Sequence, residues 1–180
     1  MSTIVNMSPL VTEDRLAFYM GYAFSRAIHI EHVLEPNTLM VPFITYWRDM
    51  QPHSVPYPSA TQAKAVAKAH AARAQISVEF TGWSSGREGA LQQNDGTKLD
   101  VLYIEGWVAS FAPQLEMLVY YRKEPFRLIK GFFWKPHPTA RKNAKSFMAE
   151  FKNGIFGHPF GQQSLEYIER AEQVSYEHSK

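Results

Sequence analysis

The chain has 180 residues, 45% of them apolar and 20% charged, with a formal net charge of +2 at pH 7 and no cysteine. A chain of this size buries about two-thirds of the surface it exposes when unfolded, so it needs no disulfide or metal staple to fold. Zero cysteine excludes a disulfide scaffold, a CxxC redox pair, a thiolate nucleophile and a Cys-ligated zinc or iron–sulfur centre, which leaves oxygen and imidazole chemistry.

Residues Met1 to Val11 lack the basic start and apolar run of a secretory signal. No window reaches the roughly 18 consecutive apolar residues of a membrane span. The expectation is a soluble, cytoplasmic protein without a membrane partner. Thr12 reads as an N-cap, with Glu13 and Asp14 in the first turn, and Leu16, Tyr19, Met20, Ala23, Ala27, Ile30 and Leu34 recur at helical spacing. This predicts a helix over 13–34 that stops at Glu35-Pro36, where the residue before proline leaves the helical region. Residues 39–48 fit a strand or a short helix. Pro52, Pro56 and Pro58 make 51–58 an extended connector with few ladder hydrogen bonds. Ser59 then caps an alanine-rich helix over 60–74.

From there the period changes to two. Residues 76–83, 101–111, 115–122 and 126–134, rich in Val, Ile, Phe, Tyr and Trp, read as four strands. The connectors Ala112-Pro113-Gln114 and Lys123-Glu124-Pro125 are too short for a crossover helix, so the last three strands form an antiparallel meander. The Gly-, Gln- and Asn-rich stretch from Ser84 to Lys98 reads as a mobile loop. After Pro138, Thr139 caps a helix that Gly154 terminates, and a last, acidic helix runs over 162–177. The predicted fold class is α+β, a four-stranded, mainly antiparallel sheet packed with about four helices. Residues 1–58, a helix plus a Pro-rich connector, are expected to pack on the main unit, 59–180, as a single domain.

Charge is unevenly spread. Between Tyr120 and Lys152 stand nine basic residues (Arg122, Lys123, Arg127, Lys130, Lys135, Arg141, Lys142, Lys145, Lys152) and two acidic ones (Glu124, Glu150), a local +7 against −5 for the rest. Such asymmetry steers anionic partners. On the helix over 139–153, Ala140, Ala144, Phe147, Met148 and Phe151 form the expected buried stripe, which leaves Arg141, Lys142 and Lys145 exposed. Cations at a helix start cost about 0.3 to 1 kcal/mol each unless an anion sits nearby, and a phosphate would relieve them. Lys135 and His137 lie just upstream, and Phe133 or Trp134 could stack on a base. The opposing reading is internal neutralisation by Glu166, Glu169 and Glu172 of the last helix. No zinc finger, RRM signature or KH loop accompanies the stretch.

Other candidates are local. Gly82-Trp83-Ser84-Ser85-Gly86 fits GxSxG, which in α/β-hydrolases exposes a serine nucleophile on a strand-to-helix turn. The stretch after it carries no apolar helical stripe, and the later strands form a meander, so Ser84 reads as part of a Gly/Ser turn. His29 and His32 share a helix face and could supply two metal ligands, with Glu31 and Glu35 beside them, but no HExxH or HxH pattern completes a site. On the strand over 101–111, Leu102, Ile104 and Val108 face the core while Tyr103, Glu105 and Trp107 face the other way. If the sheet curls over the alanine-rich helix, Glu105 becomes a desolvated general base in a small-molecule pocket, with Glu79, Glu116, Tyr120 and Arg122 nearby. The run GIFGHPFG, Gly154 to Gly161, is too apolar for an idle loop and is expected to plug its rings into the core or serve as a lid.

The leading expectation is therefore a non-catalytic binding protein without a cofactor, contacting a phosphate-bearing partner, foremost nucleic acid, through residues 122–152. Two others stand beside it: a small enzyme using Glu105 as acid/base, and an oligomerising or adaptor protein that meets a partner through exposed aromatics.

Overall fold

Helix α1 (Thr12–Val33) carries Leu16, Tyr19, Met20, Ala23, Phe24, Ala27 and Ile28 along one side, all withdrawn from solvent, so the helical spacing in the sequence marks the face that meets the sheet. The computed structural model describes residues 12–109, 111–135 and 144–172. The elements that follow α1 are β1 (Phe43–Arg48), β2 (Gln51–Pro56), α2 (Gln62–Ala74), β3 (Gly82–Gln92), β4 (Lys98–Val108), β5 (Phe111–Lys123), β6 (Phe126–Lys135), α3 (Ala144–Gly157) and α4 (Gly161–Glu169). The fold is α+β, with four helices and one antiparallel sheet in the order β2-β1-β3-β4-β5-β6.

The sheet has six strands, not four. Residues 43–48 are a strand, and the proline-rich stretch after them, expected as a connector, pairs with it over 51–56. Prolines survive there because β2 is the edge strand, where half the backbone groups face away from any ladder. Strand β3 begins six residues later than the pattern 76–83 suggested and runs through the stretch read as a mobile loop. Every residue from Gly82 to Gln92 pairs with β4, and residues 82–86 also pair with β1. Only 93–97 remain as turn, closed by Asp95, whose carboxylate accepts from the Thr97 N–H and hydroxyl. The Ala112–Gln114 connector likewise lies inside β5.

Alternation sorts the two faces. Leu102, Ile104 and Val108 of β4, with Leu115, Met117, Val119 and Tyr121 of β5, meet α1 and α3. Residues one step out of phase, Trp83 and Trp107 with Ile44 and Tyr46, form a smaller cluster under Ala69 and Ala72 of α2. Small residues under α1 let it approach: a Cβ on Gly86 would strike the Phe43 ring, and one on Gly106 would strike Met20 and Leu16. At the α1–α3 crossing, Cβ atoms on Gly21 and Gly154 would overlap the carbonyls of Phe151 and Phe18. Gly154 is thus an interior contact of α3 and not its terminator.

Other boundaries differ as well. Thr61, not Ser59, caps α2, its hydroxyl accepting from the Lys64 N–H at 3.3 Å. Met148, expected in the buried stripe of the basic helix, is exposed, while Phe147 and Phe151 are buried as expected. In the GIFGHPFG run, Ile155 enters the core and Phe156 faces solvent. Helix α4 is shorter than predicted, and beyond it Glu172 bridges to Ile129, covering part of the β6 edge. Among the described residues no helix is long and apolar enough to cross a membrane.

Candidate functional site

Where α1 ends against the sheet, inward-facing positions stop being apolar. Glu31 falls four residues after Ala27 and three after Ile28, on the buried stripe, so its side chain points inward with no exposure at all. Alternation on β3, β4 and β5 brings Glu88, Asp100, Tyr121 and Lys123 to the same end of the same face, with Asp100 directly opposite Tyr121. Lys123 Nζ lies 3.1 Å from Glu88 Oε2 and 3.9 Å from Glu31 Oε2, and it donates to the Thr38 carbonyl at 2.6 Å. The Tyr121 hydroxyl donates to Glu88 Oε2 at 3.4 Å.

Neither carboxyl oxygen of Glu31 receives a hydrogen bond from any donor. Its charged neighbours are the Glu88 carboxyl, which opposes its ionisation, and Lys123, which favours it. Burial is the first reason the Glu31 carboxyl holds its proton, and the neighbouring Glu88 is the next, lifting it to about 8. Burial also raises Asp100, against the pull of Lys123, and raises the Tyr121 phenol so far that it stays protonated. The cluster therefore pairs a carboxyl that burial drives toward its neutral form, Glu31, with Glu88, Lys123 and the Tyr121 phenol. Outside them opens a cleft of about 540 Å³, lined by Glu88, Asp100, Tyr121 and Lys123 on its polar side and by Pro36, Leu39 and Leu99 on its apolar side.

The sequence-predicted sites have other surroundings. Glu105 is buried as anticipated, but its carboxylate is occupied: Arg73 Nη1 of α2 donates to Oε2 at 2.8 Å and Gln114 Nε2 to Oε1 at 2.9 Å. Arg73 also lies over the Trp83 ring and Arg87 over Tyr103. The space beside Glu105 is about 10 Å³, room for about one water and no substrate. Glu79 is far from it in role, exposed and paired with Arg48.

Ser84 is wholly buried near the start of β3, paired on both sides, and its Oγ accepts from Trp47 Nε1 at 3.0 Å. It sits on no turn, and its hydroxyl meets an indole in place of an imidazole. The GxSxG spacing reflects α1 and Phe43 packing over small residues. His29 stacks on Phe160 at 4.5 Å, and His32 Nδ1 shares a hydrogen bond with the Tyr167 hydroxyl at 2.6 Å. His158 is buried edge-on against Tyr22, and burial lowers it to about 4. Among the described residues no group of three or more His, Asp or Glu side chains could hold a metal ion.

The basic stretch divides. Arg122 and Arg127 both pair with Glu172, at 3.2 and 3.0 Å, and Lys123 belongs to the cleft. Internal neutralisation thus operates through Glu172, whereas Glu166 faces Arg170. Lys130, Lys135, Lys145 and Lys152 are exposed. His137, Arg141 and Lys142 lie outside the described residues. Trp134 is buried edge-on against Phe147 and Phe151 and has no face to offer a base, whereas Phe133 is half exposed.

Sequence reasoning missed Glu31, Glu88, Tyr121 and Lys123 as a group. The one available signal was a carboxylate at a buried helical phase, Glu31 after Ala27 and Ile28. Glu88 carried none while its segment read as a loop. The chain matches no protein-family model, no curated protein and no solved structure.

Proposed function

We propose that the cleft binds a small molecule and moves a proton on it, with Glu88 as the group that accepts the proton and Glu31 as the acid that stabilises it. The single observation that carries this reading is the fully buried Glu31 carboxyl, supplied by no donor, which shares Lys123 with Glu88 beside the Tyr121 hydroxyl at the edge of a cleft of about 540 Å³. Two carboxyls held at different protonation states are the usual means of having an acid and a base together near pH 7. This keeps the enzyme class anticipated for Glu105 but moves it to a different pair on the opposite face of the sheet.

The test begins with carboxyl ¹³C NMR. One Glu signal should titrate near pH 8 and fall toward the ordinary range in Glu88→Gln. In D₂O, wild-type protein should wash deuterium into at least one of a panel of small carbonyl compounds, Glu88→Gln should not, and Lys145→Ala should match wild type. Every glutamate titrating below pH 5, or exchange undiminished in Glu88→Gln, would overturn the reading.

A second reading keeps the phosphate-bearing partner, foremost a nucleic acid. Its support is the four exposed lysines on β6 and α3 with the exposed Phe133 ring between two of them in sequence. The salt dependence of oligonucleotide binding tests it.

A further inference from the structure

Helix α1 has a second polar flank, turned away from the cleft: Tyr22, Arg26 and His29 recur along it at the spacing of successive turns, and His29 precedes Glu31 by two residues, a separation that does not share a face. The Tyr22 ring meets Trp47 edge-on at 5.1 Å, and the Arg26 guanidinium lies 5.2 Å from the centre of the Phe43 ring, so these two side chains lie over opposite ends of β1. Between Phe43 and Trp47 comes Thr45, whose hydroxyl shares a 2.7 Å hydrogen bond with that of Ser54 on β2. The turn between α3 and α4 approaches from the other side. It brings the His158 ring to 4.9 Å from Tyr22 and 5.8 Å from His29, which places it over the turn of α1 that carries Arg26.

The groups gathered here are donors without acceptors. His158 Nδ1 accepts from the Phe160 N–H at 3.1 Å, so the proton of the neutral ring sits on Nε2, for which the described residues supply no acceptor. They supply none for the Tyr22 hydroxyl either. Arg26 Nε is closed to solvent and meets no acceptor, and among the described residues the guanidinium belongs to no ion pair, so its counter-charge has to come from outside, through Nη1 and Nη2. The charges that act on Tyr22 and His158 are those of Arg26 and His29, with no carboxylate opposing them. Helix α4 starts beside them without a side-chain cap, its N-cap residue Phe160 stacked on His29 at 4.5 Å, and the partial positive charge of that helix start adds to the rest.

We propose that this flank of α1 binds a phosphate monoester, whose oxygens accept from the Nη atoms of Arg26, the Tyr22 hydroxyl and His158 Nε2–H. A half-buried cation without a partner is a cost that an incoming anion removes. The guanidinium fork fits two phosphoryl oxygens and leaves a third for the phenol and the imidazole, whereas a carboxylate, with two oxygens, leaves donors unmet. A cation is repelled by Arg26. The site uses neither the cleft nor the lysines of β6 and α3.

Isothermal titration calorimetry of the full chain at pH 7 with phenyl phosphate, benzoate and phenol compares phosphoryl, carboxylate and neutral groups on one ring. Phenyl phosphate should bind, benzoate about tenfold more weakly or less, and phenol not at all. Arg26→Met, which keeps an unbranched chain over Phe43, should weaken phenyl phosphate by about tenfold or more, the scale of a lost charge-assisted hydrogen bond. Tyr22→Phe, which removes the hydroxyl alone, should weaken it by about threefold or more. In imidazole ¹H–¹⁵N spectra phenyl phosphate should shift the His158 signals and leave those of His70, on α2, in place. The Tyr22→Phe titration and the His158 shift decide the matter if Arg26→Met fails to fold. The double variant Lys135→Ala, Lys145→Ala should bind as wild type does. Binding of no probe, benzoate binding as tightly as phenyl phosphate, affinity unchanged in Arg26→Met and Tyr22→Phe, or binding lost with the two lysines would overturn the inference.

Discussion

Two buried glutamates show how surroundings, and not burial alone, decide what a carboxyl does. Glu105 has an arginine and an amide donating to its two oxygens, so it is an ion-pair anchor. Glu31 has no donor, so it keeps its proton up to about pH 8 because burial and the Glu88 carboxylate both oppose ionisation. In the unfolded chain the same group ionises in the ordinary glutamate range. Folding therefore retains a proton that the unfolded state loses, and the stability this contributes is full below about pH 4.5 and disappears as pH rises toward about 8. Burial raises Asp100 too, which acts in the same sense. Each tenfold difference in proton affinity is worth about 1.4 kcal/mol, so wild type should lose on the order of a few kcal/mol between pH 5 and pH 9 in urea denaturation. Glu31→Gln should flatten most of that slope and be the more stable protein at pH 9. Parallel curves for the two proteins would show that Glu31 is ionised throughout.

At the scale of elements, α2 has few buried side chains, so its attachment leans on polar contacts at its two ends, Gln62 Nε2 to the Met40 carbonyl at 3.1 Å and Arg73 to Glu105 at 2.8 Å. It buries only Ala65 and Ala69, and Arg73 reaches from its last turn to Glu105 and the Trp83 ring. Arg73→Ala leaves a buried carboxylate with Gln114 as its main remaining donor. Breaking one side of a buried pair costs about 3 to 5 kcal/mol, whereas replacing both sides with apolar residues of similar volume is often near neutral. Arg73→Ala should lower stability by that amount and speed amide hydrogen exchange selectively in α2. The double variant Arg73→Met, Glu105→Leu should recover most of the loss. A cost below about 1 kcal/mol for the single variant would assign the anchoring of α2 to its alanines instead.

The same scale explains what could be read in advance. The stripe of α1, the inward and outward faces of β4 and the antiparallel meander were legible, because periodicity reports directly on which side of an element is buried. Strand β3 was misplaced because its sequence, GWSSGREGALQ, is selected for thinness under α1 and lacks the branched residues that signal a strand. Strand β2 was missed because an edge position tolerates the prolines that argue against a strand elsewhere. The candidate site was lost with β3, since Glu88 acquires its partners only once that strand lies between β1 and β4. Glu105, visible by alternation, came with the correct face, but its partner Arg73 comes from a helix more than 30 residues earlier, a contact that no local pattern carries.

For the whole molecule, charge sets up a contest between the chain's own acids and an external anion. A net charge of +2 conceals the local excess between Tyr120 and Lys152, and Glu172 takes up two of those cations while the cleft takes a third. Lys130, Lys135, Lys145 and Lys152 are exposed and absent from every ion pair formed among the described residues. If they meet the phosphates of a single strand, binding must weaken with salt at a slope of about −0.7 in log–log terms for each phosphate neutralised. Fluorescence anisotropy with a generic single-stranded oligonucleotide, from about 50 to 200 mM salt, reads that slope. The triple variant Lys135→Ala, Lys145→Ala, Lys152→Ala should make it shallower by about 2, whereas Phe133→Ala should leave the slope unchanged and weaken binding by about 1 to 3 kcal/mol through lost stacking. Separating the two effects distinguishes charge from ring. Arg141→Ala with Lys142→Ala then tests whether the adjoining cations belong to the same surface. No binding at the lowest salt, or a slope untouched by the triple change, would leave the lysines as a solvated face and the cleft as the site that defines this protein.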